Sequence, residues 1–272
     1  LKIKNVEFTS NIMASVDHHL CIALHGLEGS GKTRFIATAP DPIGVVALDR
    51  KTRYTIAVVA EEFGKKVFMP TEDFIRHGDP IKLASMNEPT AKKHYMDHVK
   101  RVMEACYLLR DHKDIKTVAL DTGSQLWEDI MIAEYGRNQR VLPRDRGPVN
   151  QMMIDFLNAM TGKHFIITHK AKELWKNDKP TGQYGPSGFG HVGYHATVMC
   201  EMKSNEKFGS EKKGVPEWQF AMSVKKCQAN ALLQGEDGLD LLTEPSDDPD
   251  YDITFKNLAK MVYPLIDEEV WD

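Results

Sequence analysis

The amino-acid sequence predicts an α/β protein, with a mostly parallel central sheet covered by helices on both faces and an antiparallel hairpin appended to it. Three observations carry that expectation. Apolar, β-branched runs of strand length occur at 20–25, 44–48, 66–69, 115–120 and 164–168, and strands buried on both faces read as such continuous runs. The segments between them repeat apolar residues at three-and-four spacing, as amphipathic helices do. Beyond Gly190, strand-like runs at 196–202 and 217–225 flank a polar, Lys- and Gly-rich stretch, which is the patterning of a hairpin.

Taken in order, the first strand runs into Gly26-Leu27-Glu28-Gly29-Ser30-Gly31-Lys32-Thr33, and a helical stretch opens at Arg34. This is the complete phosphate-binding P-loop pattern in its strand-to-helix context. Glycines let the backbone wrap an anion, amide N–H groups and the helix start face the phosphates, Lys32 supplies a point charge, and the Thr33 hydroxyl ligates a metal ion. ATP and Mg2+ are the cofactors this pattern predicts. The second strand ends at Asp49. Tyr95, Met96, Val99, Val102, Met103 and Cys106 mark a helix ahead of the strand 115–120, which ends at Asp121. A P-loop site needs such an acid at the tip of a buried strand to hold the magnesium shell. Because Thr122, Gly123 and Ser124 follow and open an amphipathic segment at 125–135, a helix N-cap is the competing role for Asp121.

Arg137, Arg140, Arg144 and Arg146 form a basic loop, read as an anion-binding surface or a solvated connection. The helical spacing of Val149, Met152, Met153, Phe156, Leu157 and Met160 follows it. The strand 164–168 ends in His169, placed to sense a terminal phosphate or, more plainly, to be a core histidine. After it come Lys170, Lys172, Trp175, Lys176 and Lys179 among glycines, read as a mobile loop in which Trp175 offers a base a stacking surface.

Composition sets the outer bounds. A chain of 272 residues with 42% hydrophobic and 27% charged residues can bury a sizeable core, which excludes wholesale disorder and a collagen-like chain. Four scattered cysteines without metal-site spacing read as reduced, structural thiols. No apolar run reaches the ~18 residues of a membrane span, and no basic-then-apolar leader stands at the start, so the expectation is a cytoplasmic protein without a membrane partner. The net charge of −4 is uneven: residues 236–272 carry −10, leaving +6 on 1–235. The domain reading follows, with a core at 1–235 and an acidic tail at 236–272 that solubilises, docks a partner, or competes with a polyanion for the basic body.

In this order the parts resemble the ATPase core of the RecA-like recombinases, and most closely the phage-encoded RecA-like ATPases of the Sak single-strand-annealing group, over about residues 15–230. The resemblance implies a RecA-like fold and roles for individual residues: Gly26 to Thr33 with Arg34 around the nucleotide, Asp49 and Asp121 at the chemistry, His169 as sensor, and 136–148 and 170–190 as two DNA-binding loops. It also implies that Lys225 and Lys226 reach a neighbouring protomer's nucleotide. Lys51 stands where the family carries a catalytic Glu, which leaves Asp49 and Glu72 as candidates to activate water. The implied function is a Mg-ATP-dependent, DNA-stimulated ATPase that assembles on single-stranded DNA as a ring or filament, with a single-strand DNA-binding protein as a further partner, in the host cytoplasm. Two other classes fit the residues: a nucleotide-gated DNA-binding scaffold with little hydrolysis, and a small-molecule P-loop kinase.

Overall fold

The computed structural model describes residues 2–3, 6–7, 18–75, 77–137, 140–207, 217–233, 242–244, 249–266 and 268–271. Strands β1 (Lys2–Ile3) and β2 (Val6–Glu7) pair as a short antiparallel ribbon. The main body alternates strands and helices: β3 (Cys21–Gly26), α1 (Lys32–Ala37), β4 (Ile43–Ala47), α2 (Arg50–Glu62), β5 (Val67–Phe68), α3 (Glu72–Ile75), α4 (Pro80–Ser85), α5 (Glu88–Asp111), β6 (Thr117–Asp121), α6 (Gly123–Tyr135) and α7 (Gly147–Ala159). It continues with β7 (His164–Lys176), β8 (Lys179–Pro186), β9 (Val198–Lys207), β10 (Glu217–Cys227), β11 (Leu242–Glu244) and α8 (Phe255–Val262).

The nine-stranded sheet has the order β11-β10-β9-β3-β7-β6-β4-β5, with β8 paired to β7. The run from β9 to β5 is parallel throughout, whereas β10 and β11 are antiparallel additions at one edge. The α/β architecture with an appended hairpin is therefore the observed fold. Period-two alternation assigns side chains to its faces. Ile22, Leu24, Val45, Ala119 and Ile166 join α1, α2 and α8 in one core, while Ala23, Val46, Val118, Leu120, Phe165 and Ile167 join α5, α6 and α7 in the other. Asn87 and Thr122 cap α5 and α6 through their side chains, each accepting a backbone N–H three residues on. Among the described residues no helix is long and apolar enough to cross a membrane.

Two expectations are corrected. The stretch after His169 is an ordered β-hairpin, because β7 runs on to Lys176 and β8 returns from Lys179. Its reversal uses Asn177 and Asp178, both at positive φ (52° and 59°), the two-residue turn whose twist suits a hairpin. The Lys-rich stretch opens with period-two patterning, Lys170 and Lys172 exposed and Ala171 and Glu173 half-buried, and the remainder, 174–183, is exposed on both faces.

The second correction concerns 236–272. Residues 236–241 and 245–248, which carry much of the acidic charge, lie outside the described residues, but the described segments are built into the fold. β11 extends the sheet edge, and α8 buries Phe255, Leu258, Ala259 and Val262 in the same core as α1. The Phe255 and Phe35 rings lie 6.5 Å apart, the Phe255 N–H donates to Thr38 Oγ1 at 2.9 Å, and Trp271 is buried. Truncation at 235 would open this core, so it cannot test the charge alone. Replacing Phe255 by Ala is expected to cost about 3–5 kcal/mol of stability, the range for deleting a fully buried aromatic ring, read as a lowered midpoint in urea denaturation.

Candidate nucleotide-binding site

The P-loop spans the gap between the tip of β3, at the middle of the sheet, and the start of α1. Gly26 must lack a side chain, because a Cβ there would run into the Met202 carbonyl on β9. Gly31 caps α1 in the left-handed region (φ 87°), where glycine alone is unstrained. Leu27, Glu28 and Gly29 form the exposed crest, and Ser30 is buried beneath it. Lys32 folds over the loop, its Nζ donating to the carbonyls of Gly26 (2.9 Å) and Leu27 (2.7 Å) and to Ser30 Oγ (3.2 Å). Burial lowers its pKa, against the pull of the Asp121 and Glu28 carboxylates. An ammonium held among carbonyls in a partly desolvated loop is poised to exchange them for phosphate oxygens.

Asp121 lies at the tip of β6, two strands from β3 with β7 between them. The Thr33 hydroxyl donates to its Oδ2 at 3.1 Å and the Thr168 hydroxyl to its Oδ1 at 2.5 Å. Burial pushes the Asp121 carboxyl up, the two hydroxyls and Lys32 pull it down, and Asp49 adds an upward push; the balance is upward. Helix α6 is capped by Thr122 rather than Asp121, so the carboxylate is free of the capping role. The residues fit a magnesium ion: Thr33 Oγ1 and Asp121 Oδ2 are hard oxygens 3.1 Å apart, and adjacent corners of an octahedron with ~2.1 Å bonds are about 3.0 Å apart.

Strand parity places the sensor differently from the sequence expectation. Asp121 and Thr168 face the α1 side, whereas His169 faces the α6 side, where a Cβ on Gly123 would meet its ring. His169 is wholly buried, and burial lowers its pKa to about 4. Its register partner on β3, His25, is equally buried, and burial lowers its pKa to about 4 as well. Both rings are therefore uncharged at neutral pH. The β7 side chain that touches the acid is Thr168, which the sequence reading passed over. Its signal was parity: with Phe165 and Ile167 facing one core, Thr168 must face the other.

The row continues sideways, since His25 pairs in register with Glu201 on β9. Glu201 accepts an ion pair from Lys225 at 2.8 Å and lies 3.8 Å from Lys203. A register shift between Val224 and Lys226 makes Lys225 the extra residue of a bulge, which turns two consecutive lysines to one face. Lys226 then sits over the Tyr194 ring at 3.2 Å. Both lysines expected to reach a neighbouring nucleotide thus have partners within the chain. Gly26, Leu27, Ala171, Tyr184, Glu201 and Lys225 help line a cavity of about 410 Å³ beside the P-loop.

The remaining expected residues divide. Asp49 caps α2, accepting from the Lys51 N–H at 2.8 Å, and Glu72 lies 3.8 Å from Arg50. Arg34 turns away from the loop to Glu62 (3.0 Å) and the Phe63 ring. Arg137 is structural: its guanidinium donates to the Leu83 and Met86 carbonyls at 2.8 and 2.6 Å, closing the end of α4, and pairs with Glu88. Arg140 and Arg144 are exposed, and Arg146 stacks over Trp127 while donating to the Val141 carbonyl. Arg140 and Arg146, together with Arg137, border a shallow groove of about 480 Å³ along α6, and Arg144 stays outside it beside Asp145. Lys170, Lys172, Trp175, Lys176 and Lys179 are exposed along the hairpin.

Neither a protein-family model nor a curated protein matches the sequence. Among solved structures, the chain is similar to one from a "Structural and biochemical analysis of a prototypical ATPase from the type III secretion system of pathogenic bacteria", at 11% sequence identity and a TM-score of 0.45 over 68% of this chain. The match covers 52% of that chain, so this protein spans about half its length. What this protein can do chemically therefore rests on its own residues, a phosphate-binding loop with a cation, a hydroxyl and a buried carboxylate converging on one point.

Proposed function

We propose that the protein is a Mg-ATP-dependent ATPase that binds single-stranded DNA. The observation that carries the nucleotide part is the convergence of Lys32 and Thr33 at the start of α1 with Asp121 at the end of β6 and Thr168 on β7. Lys32 exchanges its loop carbonyls for oxygens of the β- and γ-phosphates, and the loop amides cradle the chain of phosphates. Thr33 and Asp121 would hold Mg2+, which supplies charge neutralisation on the transferring phosphoryl group. Thr168 keeps the Asp121 carboxylate oriented through the 2.5 Å hydrogen bond. Asp49, close enough to act on Asp121 electrostatically, is the carboxylate best placed to orient an attacking water.

The DNA part is supported by the exposed cations of Arg140, Arg144 and the β7–β8 hairpin, with Trp175 as a stacking surface. Assembly into a ring or filament, with Lys225 released from Glu201 toward a neighbour's nucleotide, and a role in phage recombination or annealing belong to the same proposal. A nucleotide-gated scaffold with slow turnover is the second reading, favoured by Lys51 in the place of a catalytic Glu and by the capping engagement of Asp49.

Steady-state phosphate release with and without single-stranded DNA separates these readings. DNA-stimulated turnover supports the ATPase, whereas nucleotide-dependent DNA binding without turnover supports the scaffold. Sequence-tolerant binding through about four phosphates predicts a log-log salt slope near −3, at roughly −0.7 per contact on a single strand. Charge reversal at Lys172 and Lys176 is expected to flatten that slope. No binding to single-stranded DNA in ATP and Mg2+, at low salt, would overturn the DNA part and leave the nucleotide site standing.

A further inference from the structure

We infer that His77, His98 and Asp129 form a binding site for one transition-metal dication of the zinc class, on the sheet face opposite the P-loop. The site would tie the connection between α3 and α4 to helices α5 and α6. His77 Nε2 lies 2.9 Å and His98 Nδ1 3.4 Å from the same oxygen, Asp129 Oδ2, and the three donor atoms all fall within 4.8 Å of one another. Ligand atoms around a tetrahedral zinc with bonds of ~2.0–2.1 Å stand about 3.3 Å apart, so the donors are already grouped near that spacing, and closing on an ion requires the part-exposed His77 ring to turn out of its 3.6 Å stack on His98.

The hydrogen-bond roles point the same way. His98 is 1% exposed, and its Nε2 lies 2.7 Å from the Ile75 carbonyl. A carbonyl only accepts, so Nε2 carries a proton and neutral His98 turns the bare lone pair of Nδ1 toward a carboxylate oxygen. Two acceptors facing each other in a buried site call for a cation between them, either a proton or a metal ion. Protons serve poorly here. The His77 and His98 rings stack at 3.6 Å, so two imidazolium ions would repel across that gap, and one carboxylate oxygen serves both rings.

A metal ion leaves both rings as neutral donors and uses the surroundings already in place. Metal-bound histidines commonly donate their second N–H to a backbone carbonyl, and ligating carboxylates are themselves hydrogen-bonded. His98 donates to Ile75, and Gln125 Nε2 donates to the other oxygen of Asp129 at 3.0 Å. His94 Nε2 donates to the His77 carbonyl at 2.6 Å, holding that turn in position. The His77 side chain is 26% exposed, which gives an ion a way in and leaves room for water as a further ligand. Two imidazoles and one carboxylate favour Zn2+, Co2+ or Ni2+ over Mg2+ or Ca2+.

The test uses the full chain, stripped with a chelator and titrated with Zn2+ against a chromophoric chelator. One equivalent of tight binding is expected, with a rise in melting temperature and visible absorption when Co2+ replaces Zn2+. His77→Ala, on a half-exposed turn, and Asp129→Asn, which keeps the side-chain shape, should each weaken binding at least about tenfold. Both variants should keep the parent circular-dichroism spectrum and nucleotide binding. Absence of zinc uptake by the folded parent chain, or equal uptake by His77→Ala, overturns the site, and neither result bears on the P-loop proposal.

Discussion

Lys32→Ala is expected to weaken ATP binding by about 10- to 100-fold and to abolish measurable turnover. Hydrogen bonds from a charged donor are worth about 1.5–3 kcal/mol each, and Lys32 is the cation that folds directly over the loop. The substitution also frees the Gly26 and Leu27 carbonyls, which then face a phosphate chain with no intervening charge. Fluorescent-nucleotide titration reads the affinity and a phosphate-release assay reads the turnover. Lys32→Arg separates charge from geometry: its planar fork cannot replace a compact ammonium held by two carbonyls and a hydroxyl, so it should recover part of the binding and little turnover. Parent-like affinity and turnover in Lys32→Ala would remove the nucleotide site altogether.

Asp121→Asn is expected to leave folding and metal-free nucleotide binding close to the parent while lowering turnover about 100-fold or more. The amide is isosteric and can still meet the Thr33 and Thr168 hydroxyls, one of which reverses its role from donor to acceptor. What disappears is the negative charge on the oxygen beside Thr33, and with it several kcal/mol of metal-assisted charge stabilisation. Nucleotide titration with Mg2+ and then with excess chelator isolates the effect: the parent should lose affinity on chelation and Asp121→Asn should not. Burial raises the Asp121 carboxyl above the usual carboxylate range. Binding of Mg2+ by the parent should therefore weaken on acidification from a higher pH than an exposed aspartate would dictate, because the ion must displace a proton that the metal-free site holds. Equal turnover in Asp121→Asn would transfer the metal role to another residue, with Asp49, a carboxylate that acts electrostatically on this one, the first candidate.

The P-loop, the strands and the main helices are local properties of the chain, so they are legible in sequence. A glycine-rich anion loop is written in eight consecutive residues, and an apolar run or a three-and-four repeat declares its own period. Asp121 was legible for the same reason, as an acid ending a buried strand. Side-chain parity is almost as local, since Phe165 and Ile167 already force Thr168 and His169 to opposite faces. What the sequence leaves open is which face carries the nucleotide loop, because that depends on strand order. Only the placement of β7 between β3 and β6 brings Thr168 to Asp121, across 47 residues, and sends His169 to the other core.

The basic residues show the same division. A cation in a loop looks alike whether it waits for a phosphate or closes a helix, and Arg137 acquires its role only when the end of α4, some 54 residues earlier, arrives beside it. The acidic segment reads as a tail because charge dominates its composition, yet four apolar residues on one face of α8 are enough to seat it against Phe35. The hairpin that follows His169 was masked by its own lysines and glycines, and it is defined only by the pairing of β7 with β8. Sequence by itself determined the chemistry at hand, an anion loop, a hydroxyl and an acid at strand tips. Tertiary structure decided which groups share a point in space, because contacts between residues tens of positions apart are set by the sheet's order and twist, and no local pattern encodes them.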